Sequence, residues 1–187
     1  MIHIAVGESN FRTLIEGQIF YQDRTQYIKI LEDFKTKYLV YLRPRRFGKS
    51  LFLSTLRHYY GFQYKNDFEQ LFGQTFIGKN PTEHAHAYRI LNFDFSGINT
   101  TSFEKIFQGF LEKVFAGINL FFQDYGDYFT VQQKKEILKK DEPNLAILAF
   151  FNAWGEQGSD KKIYILVDAG NFGNLSKASK SVGFLYL

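Results

Sequence analysis

Arg43, Arg45, Arg46 and Lys49 fall within seven residues that contain no acid, and Ser50 follows directly. Guanidinium and ammonium groups this close together, beside a glycine that lets the backbone approach, suit a compact anion such as a phosphate. Lys49 supplies a mobile point charge, and the Ser50 hydroxyl can ligate a divalent cation. The whole chain carries a net charge of +4. Residues 1–60 hold 10 Lys and Arg against 5 Asp and Glu, whereas residues 61–187 hold 13 against 14. The surplus therefore sits around one short loop rather than along a stripe, which argues against a general nucleic-acid surface.

Flanking elements must position that loop. Residues 38–42 form a short apolar run rich in strand formers, and Pro44 and Gly48 break the chain direction after it. Residues 49–60 return to helical spacing, with Leu51, Phe52, Leu53, Leu56 and Tyr59 as the expected buried set. Between a strand and a helix, Gly48-Lys49-Ser50 reads as the end of a P-loop. Unpaired amides at the helix start and the helix dipole favour an anion there, with Lys49 on the β- and γ-phosphates and Ser50 on Mg²⁺. The full pattern asks for glycine five positions before Gly48, where Arg43 stands instead, so the motif is degenerate. An ordinary strand–turn–helix with a solvated basic turn would carry the same residues.

A P-loop also needs an acid at a neighbouring strand end to hold the Mg²⁺ shell. Two strands offer one: residues 163–167 lead into Asp168, and residues 89–93 lead into Asp94. Helical spacing is expected over 26–35, 129–140 and 144–155. A further helix starts at Thr101 or Ser102, with the stripe Phe103, Ile106, Phe107, Phe110, Leu111, Val114 and Ile118. Residues 61–88 look irregular apart from a short helix to which Phe68, Leu71 and Phe72 can belong, and residues 181–187 form a possible fourth strand. Strands separated by helices predict an α/β domain with a mainly parallel sheet, which places ligands at the C-terminal strand ends.

Composition narrows the classes. At 187 residues the length suits one domain, 1–187, and 22 Phe with 12 Tyr supply ample core. The absence of cysteine excludes disulfide scaffolds, thiolate zinc sites and cysteine nucleophiles. The N-terminus lacks the pattern of a signal peptide, and no apolar run approaches the ~18 residues of a spanning helix. A cytoplasmic protein without a membrane role is expected. His84 and His86 lack a third ligand nearby in sequence, which argues against a metal site. His58 reads as a partly buried or surface histidine, and the lysine pairs at 134–135, 139–140 and 161–162 as solvated faces.

The run Leu42-Arg43-Pro44-Arg45-Arg46-Phe47-Gly48-Lys49-Ser50-Leu51 resembles the signature of the bacterial AAA-ATPase-like family. Members of that family often carry a PD-(D/E)XK nuclease-like domain at the C-terminus. Residues 20–25, 78–82 and 92–97 resemble it as well, so the likeness covers about residues 5–168. The resemblance implies a three-layer α/β/α P-loop fold that binds ATP with Mg²⁺. Residues 43–51 would surround the nucleotide, Lys49 would serve catalysis, and Ser50 and Asp168 would hold the metal. It also settles the choice between acids in favour of Asp168, leaving Asp94 a sensor-like or structural role.

The sequence departs from the family directly after Asp168. The family continues Asp-Glu-Tyr-Asp, with the glutamate polarising the attacking water, whereas Ala169 and Gly170 occupy those places here. Losing a general base costs about 10²–10⁴-fold, so binding without efficient hydrolysis is expected. Residues 169–187 diverge, and the domain reads as truncated or decayed at its C-terminus. Two other functions remain open on the residues: a non-enzymatic module that binds nucleic acid or a protein through loop 43–49, and a small-molecule kinase of the P-loop class. The second needs an acceptor acid or an arginine lid, and none is evident in the sequence.

Overall fold

A computed structural model describes residues 3–4, 7–36, 38–44, 46–157, 161–169 and 181–186, the last segment as backbone. The elements in chain order begin with α1 (Phe11–Glu16), α2 (Gln26–Asp33), β1 (Tyr38–Arg43) and α3 (Lys49–Tyr60). The stretch 61–88 folds into a 3₁₀ segment, Phe62–Asp67, the short helix expected around Phe68, Leu71 and Phe72, α4 (Phe68–Phe72), and an unexpected second short helix, α5 (Phe76–Lys79). β2 (Arg89–Asp94), α6 (Phe103–Tyr125), α7 (Val131–Leu138), α8 (Pro143–Glu156), β3 (Ile163–Asp168) and β4 (Ser181–Tyr186) complete the order.

Local chemistry fixes several boundaries. Ser102 caps α6 by accepting from the Lys105 amide at 3.3 Å, which settles the choice between Thr101 and Ser102. Thr130 and Gln133 form a reciprocal capping box at the start of α7, and Pro143 opens α8. Among the described residues no helix is long and apolar enough to cross a membrane.

The sheet order is β1-β4-β3-β2. β2 and β3 pair in parallel, whereas β4 runs antiparallel to both β1 and β3. The sheet is therefore mixed, which corrects the expectation of a mainly parallel one. A parallel neighbour requires a crossover of a dozen or more residues, usually through a helix, whereas an antiparallel strand needs only a reversal. Because β4 opposes both of its neighbours, β1, β2 and β3 still share one direction. Their C-terminal ends, at Arg43, Asp94 and Asp168, meet on one edge of the sheet.

Period-2 alternation sends side chains to two separate cores. Ile90, Tyr164 and Leu166 join Phe52, Leu56, Tyr59 and Phe72 on one face. Leu91, Phe93, Ile165 and Val167 join Val114, Ile118, Phe121 and Phe150 on the other. The apolar stripe of α6 is buried only toward its C-terminal half, at Val114, Ile118, Phe121 and Tyr125. Phe103, expected within that stripe, is 83 % exposed, because it lies beyond the part of α6 that crosses β2.

Candidate functional site

β1 stops at Arg43 because Pro44 has no amide to continue the ladder. The chain then reverses through two residues with left-handed backbone, Arg46 at φ 65° and Gly48 at φ 74°. Gly48 adopts this conformation freely, but for Arg46 it carries a backbone cost of ~1–3 kcal/mol. Such costs concentrate where a loop must present its backbone to a ligand. Gly48 is also the N-cap of α3, and having no side chain it leaves the first-turn amides uncapped.

Helix α3 then delivers its first two side chains to the end of β3. The Lys49 ammonium lies 3.2 Å from Asp168 Oδ1, and the Ser50 hydroxyl donates to Asp168 Oδ2. Lys49 is only 8 % exposed, and that carboxylate is its ion-pair partner. The groups meet across 118 residues of sequence. Ala169, next in the chain, is buried.

The structure places the other residues expected at the site less uniformly. Phe47, Gly48 and Leu51 line a cleft of about 290 Å³ beside the loop, together with Arg46. Leu51 is half-buried rather than part of the core, which is why it reaches that cleft. Pro44 accepts from the Phe47 amide at 3.4 Å, closing the turn. The Arg43 guanidinium lies on the Tyr41 ring, 5.2 Å from its centroid, and its Nε donates to the Tyr41 hydroxyl at 2.9 Å. Arg45 falls outside the described residues. Asp94 is exposed and accepts from the Ser96 amide at 2.9 Å.

Sequence reasoning gave residues 20–25 a family likeness but no place at the site, and they form the far wall of the cleft. Asp23 accepts from the amides of Thr25 and Phe76 at 2.9 and 2.7 Å, and the buried Thr25 hydroxyl accepts from the Ile77 amide at 3.0 Å. This double clamp leaves Arg24 beside the loop, where Nη1 donates to the Phe47 carbonyl at 3.4 Å. Tyr21, on the same segment, is pushed above the usual tyrosine range by burial and so stays neutral. Asp-x-Thr is a turn signature in sequence, but its partners lie about fifty residues away.

The histidines take no part in this arrangement. His58 is buried, not at the surface; its Nδ1 donates to the Ser54 carbonyl at 2.7 Å, and burial lowers its pKa to about 4. His86 Nδ1 donates to the Gly61 carbonyl at 3.1 Å.

No curated protein and no solved structure matches the chain. A family model described as "Predicted AAA-ATPase" matches residues 5–172, a span that contains the loop, both acid-ended strands and the clamped segment. The chain belongs to this AAA-ATPase-like family.

Proposed function

We propose that the chain is a P-loop domain with the three-layer α/β/α plan that binds ATP together with Mg²⁺ and hydrolyses it weakly or not at all. The observation that carries this reading is the convergence of Lys49 and Ser50 on Asp168 at the uncapped start of α3. Turn amides, a lysine and a hydroxyl–carboxylate pair are what a polyphosphate with a hard cation requires.

The donor set fits magnesium. Ser50 and Asp168 offer two hard oxygens already in contact, and Mg²⁺ usually takes one or two protein oxygens, with phosphates and water completing its shell. When bound, the ion would neutralise phosphate charge. The chain's own part begins with exchange of the ion pair. Lys49 leaves Asp168 for the β- and γ-phosphates, which frees the carboxylate for the metal. The α3 amides bind phosphate oxygens, and Arg43, Arg45 and Arg46 add positive potential at the loop. Ala169 has no group that can take a proton from water, so the step after binding lacks its base. A cytoplasmic setting is consistent with this use of ATP.

Thermal-shift titration with Mg-ATP tests the reading. The wild type is expected to gain several degrees at saturation, and Lys49→Ala to gain none. Phosphate release from the wild type is expected to stay at or only slightly above that from Lys49→Ala. Oligonucleotide binding that survives Lys49→Ala and weakens steeply with salt would support a nucleic-acid module instead.

A further inference from the structure

We propose that the N-terminal edge of the sheet carries a second anion site, in which Arg89, Tyr128 and Lys161 hold a terminal phosphate group, free or as a monoester. The site stands apart from the loop at 43–50. Arg89 opens β2 and Asp94 ends it, ~17 Å away along the strand, and Lys161 precedes β3 as Asp168 ends it.

Arg89 supplies the first reason. It is 7 % exposed, a burial that a guanidinium rarely reaches without a paired anion. Among the described residues it has no carboxylate partner: no ion pair includes it, and Asp124 of α6 is held by Gln63 at 2.9 Å and Arg57 at 3.8 Å. Its Nε is buried with no hydrogen bond, and Nη2 makes one long bond to the Tyr128 hydroxyl, 3.4 Å. Two rings stand where a counter-ion would: the guanidinium carbon lies 4.0 Å from the Phe62 centroid and 6.0 Å from that of Tyr128. Aromatic faces attract a cation but leave its charge in place.

The neighbouring groups select the ligand. Tyr128 ends the 3₁₀ turn Gly126–Tyr128, and the Lys161 ammonium lies 4.1 Å from its ring centroid. Hydrogen bonds from Lys161 and Arg89 hold the Tyr128 hydroxyl below the usual tyrosine range. A phenolic oxygen that accepts from two cations is left to donate its own proton to an acceptor oxygen. Donors on two positive charges, with a phenol between them, match a compact dianion such as phosphate. Tyr128 and Lys161 are half-buried and line the way in, and Arg89 forms the floor. A floor this deep suits a terminal phosphate, whereas the diesters of a nucleic-acid strand are tracked by a groove of accessible cations.

Calorimetric titration of inorganic phosphate into full-length Lys49→Ala, in which the loop has lost its lysine, tests the site. Saturable binding is expected to remain there. In that background Arg89→Gln should weaken phosphate by about 10–100-fold, Lys161→Ala by about 5–50-fold and Tyr128→Phe by about 2–10-fold. Tyr128→Phe keeps the ring beside Arg89 and removes only the hydroxyl. Weaker phosphate at an unchanged melting temperature therefore separates an anion site from a purely structural stack. Lys161→Ala and Tyr128→Phe also carry the test if Arg89→Gln does not fold. Loss of all phosphate binding in Lys49→Ala overturns the site, as does binding that neither Lys161→Ala nor Tyr128→Phe weakens. A single-stranded oligonucleotide that binds more tightly than phosphate, and that Arg89→Gln weakens, overturns the terminal-phosphate assignment and makes this edge a nucleic-acid contact.

Discussion

Asp168 and Asp94 are the same residue in the same local setting, yet they do different things. Each ends an apolar strand, the two strands are parallel neighbours, and the two residues are register partners. Asp168 holds Lys49 at 3.2 Å and accepts from Ser50, whereas Asp94 accepts the Ser96 amide and closes its own turn. Sheet position separates them. β3 lies inside the sheet, on the side toward β1 and the start of α3, whereas β2 is an edge strand. An acid at a strand end is thus a common local feature, and the helix that arrives beside it decides its role.

The largest effect expected from this comparison is on stability. Asp168→Ala would leave Lys49 as a buried cation without its carboxylate, a change that costs ~3–5 kcal/mol. Asp94→Ala, at an exposed turn, should stay within ~0.5–1 kcal/mol of wild type. Urea denaturation of the two variants measures the difference directly. In Mg-ATP binding, Asp168→Asn should lose about 10–100-fold and Asp94→Asn about twofold or less. Similar losses in the two would break the comparison and make the strand ends equivalent.

The next effect is a pH dependence located on the Asp168 side. His58 stands on α3, the helix that brings Lys49 and Ser50 to Asp168. Its ring packs 4.4 Å from Tyr64 and 6.0 Å from Phe11, and Arg57 and Arg12 disfavour its charge while Asp67 favours it. Burial is the main cause of its low pKa, about 4 against 6.5 in the unfolded chain. Between those values the unfolded chain binds a proton that the folded chain refuses. The stability from neutral His58 is therefore complete above pH 6.5 and is lost as pH falls toward 4, by ~3 kcal/mol in all. His86, also lowered by burial, adds to the same trend. His58→Gln should flatten the profile between pH 4 and 6.5, and in the wild type amide exchange should rise in α3 before α6.

Much of this arrangement was legible from residue spacing. Alternating or continuous apolar runs marked β1, β2 and β3, and Gly48-Lys49-Ser50 marked the turn into α3. What stayed hidden depends on contacts between distant segments. No local signal distinguishes Asp168 from Asp94, because the distinction is the order of strands in the sheet. Within residues 61–88, α5 stayed hidden because it is held by Asp23 and Thr25, about fifty residues earlier. The side chains at 20–24 gave no hint of a cleft, since its other wall is the loop and α3. His58 looked polar at its position in the helix, and its burial comes from Phe11 and Tyr64 closing over it.

The smallest effect asks whether Asp94 stands apart because β2 is held somewhere else. Gly117 of α6 lies directly on that strand: an added Cβ would come within 2.7 Å of the Asn92 carbonyl oxygen and 2.5 Å of the Phe93 ring. Gly117→Ala must therefore push α6 and β2 apart, at a cost of ~1–3 kcal/mol. Gly155 in α8 has nothing within 4 Å, so Gly155→Ala is expected to gain up to ~1 kcal/mol from helix propensity alone. Thermal melts of the pair should move in opposite directions. Because the strain enters through β2, one strand removed from Asp168, Mg-ATP affinity in Gly117→Ala should stay within about twofold of wild type. A larger loss of affinity would mean that the position of β2 is transmitted through the ladder to Asp168, and that the two acids form one unit after all.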